Sequence, residues 1–266
     1  MQLTGLHHVT AVSADIRGNH AFYTRALGMR LVKRSVNQDD TSAYHLFYAD
    51  GAGSPGTDLT FFDWRVPRER RGTHAIVETT LRVRDDASLA WWESRLRAQG
   101  IATPGITVRD GRGVLPFEDP EGQRLALVVD GGAGDTPVVW DASPVPAEHQ
   151  LRGLGPVTLS VPDLRHTDLV LQRVLDMRPV RTYTHADDAR DTVHVYEMGN
   201  GGAHAELHVA VQPRLAPAQP GAGGVHHLAL RTPTYGEYDA WADRLASVGM
   251  PNSGPVDRYW FKSLYF

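Results

Sequence analysis

One pattern recurs four times along the 266-residue sequence, and it constrains the fold more than any other feature. Each copy has a short alternating strand rich in Val, Thr and Leu, then a helix of about four turns, then Gly or Asp before a large apolar residue. More strand-like runs follow the helix, so each unit has roughly the pattern βαβββ. Such a unit cannot bury its sheet faces alone, and we therefore expect the units to pair. The copies occupy residues 7–32, 77–101, 155–180 and 226–250.

The repeat predicts an α+β fold built from four βαβββ modules that form paired, curved, mixed sheets. Gly28, Gly100 and Gly249 follow three of the helices, where a helix end favours a residue that tolerates positive φ. A Gly- and Pro-rich segment predicts the boundary between two halves, with a linker at 136–150. The predicted halves are 1–135, with modules at 4–65 and 74–130, and 151–266, with modules at 152–212 and 224–266.

The composition excludes several classes of protein. The net charge of −4 gives no basic footprint for nucleic acid, and no apolar run approaches the ~18 residues of a membrane span. The N-terminus lacks the charged start and apolar core of a signal peptide, so we expect a cytoplasmic protein without a membrane partner. A homo-oligomer is left open. Cysteine is absent, so any metal must be held by His and carboxylate side chains.

Two His-His pairs lie at matching places in the first and last modules. His8 and His227 stand at nearly the same distance before the glycine that follows the helix of their own module. The equivalent positions in the second and third modules are Glu78 and Pro156. Imidazole is a ligand for Zn, Fe, Cu or Ni. If both His bind one ion, the first and fourth modules must face each other, with the ligand atoms within ~4 Å.

The residues alone do not complete this metal site. Adjacent residues of a regular strand point to opposite faces, so we expect one His of each pair to bind the metal and the other to support it. The common non-haem Fe(II) site adds one carboxylate to two His. Glu206, Asp58 and Asp63 lie in other modules or in less suitable strand positions, which leaves the third ligand open. His45 also lies in a strand-like run, and we interpret it as structural.

Several segments resemble one superfamily when they are taken together with the four modules. They are LTGLHHVTA, FYTRALGMRLVKRSVNQDD, YHLFYAD, PGTDLTFFDW, GVHHLALR and DRYWFKSLYF. The chain resembles the vicinal oxygen chelate superfamily, which includes glyoxalases, bleomycin-binding proteins and extradiol ring-cleaving dioxygenases. Within it, the chain is similar to the hydroquinone-type ring-cleaving dioxygenases along essentially its whole length.

The resemblance implies an Fe(II)-dependent, extradiol-type dioxygenase that uses O₂ to cleave hydroquinone- or catechol-type aromatics. It implies that His8 and His227 bind the metal, which is Fe(II) or, in some members, Mn(II). The other residues that it implies either line the pocket and support the ligands or face the substrate oxygens: His7, Thr10 and His226 in the first group, Arg258 and Tyr265 in the second.

One departure from the family pattern concerns the third ligand. In the family, a final strand carries a Glu about ten residues past the Tyr, whereas this sequence stops at Phe266. We therefore expect the fourth module to lack its last strand, the natural chain to be longer, and the 266-residue form to be poor in metal and inactive. Two alternatives stay open: a glyoxalase-like isomerase or lyase using Zn(II) or Ni(II), and a non-catalytic protein that binds a small planar molecule.

Overall fold

A computed structural model describes residues 1–36, 42–257 and 261–266, and it contains the four predicted modules. The first comprises β1 (Leu6–Ser13), α1 (Ile16–Ala21), β2 (Arg30–Val36), β3 (Tyr44–Ala49) and β4 (Asp58–Asp63). The second comprises β5 (Ala75–Val83), α2 (Asp86–Ala98), β6 (Thr107–Arg109), β7 (Arg112–Glu118) and β8 (Arg124–Val129). The third comprises β9 (Leu154–Val161), α3 (Arg165–Leu169), β10 (Arg178–Thr184), β11 (Thr192–Glu197) and β12 (Glu206–Val211). The fourth comprises β13 (Val225–Leu230), α4 (Tyr235–Ser247), β14 (Val256–Asp257) and β15 (Lys262–Ser263).

Two large sheets each join modules from different parts of the chain. The strand order is β13-β1-β4-β3-β2 in the first sheet and β10-β11-β12-β9-β5-β8-β7-β6 in the second. Module one therefore pairs with module four through antiparallel β1 and β13, and module two pairs with module three through antiparallel β5 and β9. The α+β class and the shared sheet of modules one and four are confirmed. Both sheets cross the linker at 136–150, and the division into halves stays a prediction.

The fourth module is smaller than the other three in the described part of the chain. After α4 it adds only the two-stranded β14–β15 hairpin, so β13 is an edge strand of the first sheet. In the second sheet, the corresponding strand β9 pairs on both sides, with β5 and with β12.

The helices show where the simple repeat is modified. α2 and α4 have 13 residues each, and their N-terminal caps are Asp85 and Thr234. α1 and α3 are shorter than the predicted four turns, and each continues as a five-residue π-helical segment. In the first module this segment contains Phe22 and Tyr23, which are adjacent and both buried. Each helix is followed by a residue with positive φ, as the repeat predicts: Gly28, Gly100, Asp176 and Gly249.

Alternation along β1 determines which side chains reach the hydrophobic core. Leu6, Val9 and Ala11 belong to the main core cluster, which also includes the inner residues of the helices. His8 and Thr10 alternate with these apolar residues and therefore point to the opposite face of the sheet. We call this the open face of the first sheet. None of the described helices is both long and apolar enough to cross a membrane.

Candidate metal centre

Each His-His pair contains a β-bulge. Along β1 and β13, the pairing shifts by one residue between Leu6 and His8, which leaves His7 as the extra residue. A second shift occurs where Thr10 pairs with His227 and the next residue of β1 pairs with Val225, so His226 is extra. A bulge bends the strand and re-aims a side chain. It explains why adjacent His residues lie close together here, although a regular strand would direct them to opposite faces.

The two bulged strands bring His8 and His227 into direct contact across the open face. Their Nε2 atoms lie 3.3 Å apart, which confirms the predicted proximity of these side chains. The Nδ1 atom of His8 is 3.0 Å from that of His7, and the Nδ1 atom of His227 is 2.8 Å from that of His226. In each pair, one ring donates and the other accepts. A hydrogen bond at Nδ1 fixes the orientation of a His whose Nε2 binds a metal.

The spacing of the two Nε2 atoms is suitable for a single metal ion. Ligand nitrogens at ~2.1 Å from an ion lie ~3.0 Å apart at neighbouring octahedral positions and ~3.4 Å apart in a tetrahedron. Burial, followed by the neighbouring charges of His7, His227 and His45, holds the pKa of His8 well below its usual value. Burial also lowers the pKa of His226. His8 is therefore neutral at physiological pH, as metal binding requires.

A chain of hydrogen bonds lies behind the pair of ligand candidates. The Thr10 and Thr60 hydroxyls are 2.8 Å apart, and Thr60 Oγ1 is 2.9 Å from Nε2 of His45. Burial and the charges of His227 and Lys33 lower the pKa of His45 to about 3, so this ring is neutral. Thr10 thus lies among the side chains that support the site, and His45 has the hydrogen-bond partner expected of a structural residue.

Aromatic side chains surround the four His residues. Phe62 and Trp64 stack on each other with ring centroids 4.7 Å apart, and each lies 5.4 Å from the ring of His226. The ring of Phe261 lies 6.0 Å from that of His8, and the ring of Tyr265 lies 6.2 Å from that of His227. These rings form walls suited to a planar ligand.

The structure positions most of the predicted site residues together. His7, His8, Thr10, His226, His227 and Tyr265 all lie at this site, whereas Arg258 lies outside the described residues. Sequence reasoning missed Phe62, Trp64 and Phe261. The aromatic residues Phe61, Phe62 and Trp64, in and directly after one strand-like run, were the available signal for the first two.

No carboxylate joins the two ligand candidates within the described residues. The one group of three His or acidic side chains there with ligand atoms within 4.8 Å of one another is Asp110, Glu206 and His208. Asp58 is the register partner of His8 on β4, but it is not part of such a group. The third ligand therefore stays open, as it did in the sequence.

The group around Glu206 belongs to the second sheet and is neutralised by protein cations. Arg112 donates to both carboxylate oxygens at 2.6 and 2.8 Å, and Arg181 donates to Oε1 at 2.9 Å. Nε2 of His208 is 3.1 Å from Oε2. Burial alone would raise the pKa of Glu206, but these hydrogen bonds and charges lower it overall. Two guanidinium groups occupy the carboxylate and leave it poorly placed to bind an ion.

Known bacterial proteins resemble this chain along its length. MhqA of Bacillus subtilis, named as a ring-cleaving dioxygenase, is 40% identical over 267 residues, which cover 100% of this chain and 84% of MhqA. The chlorohydroquinone/hydroquinone 1,2-dioxygenase of Sphingobium indicum is 26% identical and is matched over 99% of this chain and 82% of its own length. A crystal structure of a Bacillus subtilis protein described as a dioxygenase superposes with a TM-score of 0.88 at 29% identity, covering 100% of this chain and 82% of that one.

One protein family accounts for nearly the whole chain. Residues 5–127 and 153–266 match the family described as the Glyoxalase/Bleomycin resistance protein/Dioxygenase superfamily. The two matched ranges contain both His-His pairs and the four modules except the last two residues of β8. The chain therefore belongs to the glyoxalase, bleomycin resistance protein and dioxygenase superfamily.

Proposed function

We propose that this chain is an Fe(II)-dependent, extradiol-type dioxygenase that cleaves the ring of hydroquinone- or catechol-type aromatics with O₂. The observation that carries the proposal is the 3.3 Å separation of the Nε2 atoms of His8 and His227 on the open face. The name of MhqA supports the reaction, and the name of the Sphingobium indicum relative supports hydroquinones as the class of substrate.

The ligand candidates would act through a fixed arrangement of four rings. His8 and His227 would hold the ion, and the contacts of their Nδ1 atoms with His7 and His226 would keep both ligand rings in place. Bound there, Fe(II) would supply open coordination positions and the redox chemistry that O₂ and a dihydroxylated ring require. Mn(II), which the resemblance also implies, is the second candidate.

The aromatic walls would orient the substrate. Phe62, Trp64 and Phe261 would hold a planar ring and exclude water from it, which reduces the entropic cost of bringing the reactants together. Tyr265 lies beside His227, and we assign its hydroxyl to proton transfer with a substrate hydroxyl. Arg258 keeps the role that the resemblance implies, stabilisation of charge on the substrate oxygens.

The test compares metals and measures oxygen. The chain, and a form extended past Phe266 by a segment with a Glu about ten residues past Tyr265, are loaded anaerobically with Fe(II), Mn(II), Zn(II) or Ni(II). O₂ consumption is then followed with hydroquinone and catechol. We expect uptake with Fe(II) and a ring-opened product that contains both atoms of O₂. Zn(II)- or Ni(II)-dependent isomerisation of a hemithioacetal without O₂ would favour the glyoxalase alternative. Substrate binding without metal or turnover in either form would favour the binding protein.

A further inference from the structure

The first sheet carries a carboxylate to which the proposed function gives no role. Two acidic residues occur in the five strands of this sheet, Asp58 and Asp63, at opposite ends of β4. Between them, Leu59 and Phe61 belong to the hydrophobic core. Alternation along β4 therefore directs Asp58 to the open face and Asp63 to the other face. Of the acidic residues in these strands, only Asp58 shares a face with the ligand candidates.

Asp58 lies beside one of the two ligand candidates. β4 runs parallel to β1, and Asp58 is the register partner of His8, just as Thr60 is the register partner of Thr10. Register partners on parallel strands point to the same face, and the 2.8 Å contact between the Thr10 and Thr60 hydroxyls is an example. Neighbouring strands lie ~4.8 Å apart, so the backbone of Asp58 lies about 7 Å across the sheet from the midline between β1 and β13.

The carboxylate of Asp58 has no hydrogen-bond donor in the described part of the chain. It is partly buried and forms neither a hydrogen bond nor an ion pair there. Its acidic neighbour Asp50 differs, because the N–H groups of Ala52, Ser54 and Val138 donate to it at 3.0, 2.9 and 2.8 Å. Burial, followed by the negative charge of Asp50, raises the pKa of Asp58 to about 7. A partly buried carboxylate without a donor is costly, and a ligand that donates to it removes this cost.

We propose that Asp58 accepts a hydrogen bond from the substrate hydroxyl that does not reach the metal, an assignment that rests on the proposed function. When one hydroxyl of a hydroquinone is at the ion, the other lies at the opposite end of the ring. Catechol carries both hydroxyls at one end and leaves Asp58 without a donor. Hydrogen bonds to a charged acceptor are stronger than those between neutral groups. Asp58 is therefore a specificity residue that favours rings with hydroxyls at opposite ends.

Anaerobic calorimetric titration with hydroquinone and 4-methoxyphenol tests this role without turnover. 4-Methoxyphenol keeps one hydroxyl for the ion, and its methyl ether cannot donate to Asp58. In the form extended past Phe266 and loaded with Fe(II), hydroquinone should bind at least about tenfold more tightly than 4-methoxyphenol. Asp58→Ala should abolish this preference, and Asp58→Asn, which keeps an oxygen acceptor, should retain part of it. Asp63→Ala changes the same strand on the other face and should leave the preference unchanged.

A titration of the metal-free 266-residue chain separates this proposal from the proposed function. The chain should bind hydroquinone more tightly than 1,4-dimethoxybenzene, which has no donor, and Asp58→Ala should remove the difference. Absence of O₂ uptake together with this dependence on Asp58 would refute the dioxygenase and keep the role of Asp58. An unchanged preference in a folded Asp58→Ala would overturn that role, in the loaded form or, if no iron binds, in the metal-free form. Thermal melts verify folding, and Asp58→Asn decides the question if Asp58→Ala does not fold.

Discussion

The two sheets have the same bulged backbone at their centres and differ in the side chains that it presents. In both, a pair of antiparallel strands from different modules shifts register twice. The first sheet thereby clusters imidazoles that can share an ion, and the second has no equivalent ligand set at this place. The backbone thus provides a position, and the side-chain identities decide the chemistry. The matched positions are His7, His8, His226 and His227 in the first sheet and Val77, Glu78, Gly155 and Pro156 in the second.

The sheets also differ in the strand that lies next to this central pair and in the carboxylate that it carries. In the second sheet, β12 pairs with β9, and Glu206 lies one residue before Leu207, the register partner of Val157, where Arg112 and Arg181 neutralise it. The equivalent position in the first sheet would lie on a strand beyond β13, opposite His227. From this comparison we propose that the third metal ligand lies beside β13.

Loss of either ligand candidate, His8 or His227, should have the largest effect on metal binding and turnover. We expect His8→Ala and His227→Ala, made in an extended form of the chain, to abolish both metal binding and turnover, because one imidazole alone cannot hold the ion at this place. His45→Ala is the control and should keep its metal. Elemental analysis of the purified variants checks this. Full metal content in both ligand variants would contradict the assignment of the metal site to His8 and His227 on the first sheet.

Addition of a third, acidic ligand should have the next largest effect on metal binding. Two neutral imidazoles do not balance the charge of a divalent ion, so the 266-residue chain should be poor in iron and inactive. A chain extended past Phe266 by a segment with a Glu about ten residues past Tyr265 should bind Fe(II) more tightly, by more than the ~10–100-fold typical of a supporting residue. Iron content after anaerobic loading and desalting measures the difference. Stoichiometric iron and equal turnover in both forms would show that another residue supplies the ligand.

Glu206→Gln tests the role of the carboxylate in the second sheet through the stability of the protein. It removes the charge that Arg112 and Arg181 share, and we expect a loss of about 3 kcal/mol in the free energy of unfolding. Glu118→Gln breaks the half-exposed pair with Arg71 and should cost less than about 1 kcal/mol. Urea unfolding measures both. Iron binding should be unaffected. A loss of iron in Glu206→Gln would show that the ion binds at the second sheet, away from His8 and His227.

Acid should reduce the contribution of Glu206 to the free energy of unfolding. The folded state holds the pKa of this carboxyl below its usual value, so the folded protein favours the ionised form. The stabilisation is complete above the unfolded pKa of ~4.3 and is lost as the pH falls towards the folded pKa. Thermal melts of the wild type and Glu206→Gln should differ by a constant amount above about pH 5 and converge below it. A difference that grows on acidification would contradict this assignment.

Thr60→Val should have the smallest effect. It removes the hydroxyl that joins Thr10 to His45, and we expect a loss of about 1 kcal/mol in the free energy of unfolding. The metal content should stay unchanged in an extended form, because these groups lie behind the ligands. A large loss of metal would show that the hydrogen-bond chain orients His8 or His227 and has more than a structural role.

The repeat made much of the fold predictable. Matching positions of His8 and His227 predicted the shared sheet of modules one and four, and the Gly or Asp after each helix predicted where the helices end. Both signals are local, because alternation and positive φ depend on short stretches of chain. The open third ligand was also visible in the sequence.

The bulges and the charge networks could not be predicted. A bulge at His7 depends on the register of a partner strand more than 200 residues away. Phe261 reaches His8 from the far end of the chain, and Glu206 is neutralised by Arg112 from another module. Such properties arise from contacts between distant segments, which periodicity does not encode.

The pairing of β1 with β13 has a consequence for the order of folding. The contacting rings of His8 and His227 are 219 positions apart, whereas the contact between Thr80 and Pro156 in the second sheet spans 76. Synthesis from the N-terminus lets β1 join β4 early, but its other edge waits until nearly the whole chain has emerged. Such distant pairings fold slowly, and unpaired edges invite association with other chains. Closing the first sheet is therefore a late step in biogenesis, and an ion seated between these two rings would mark a chain whose ends have met.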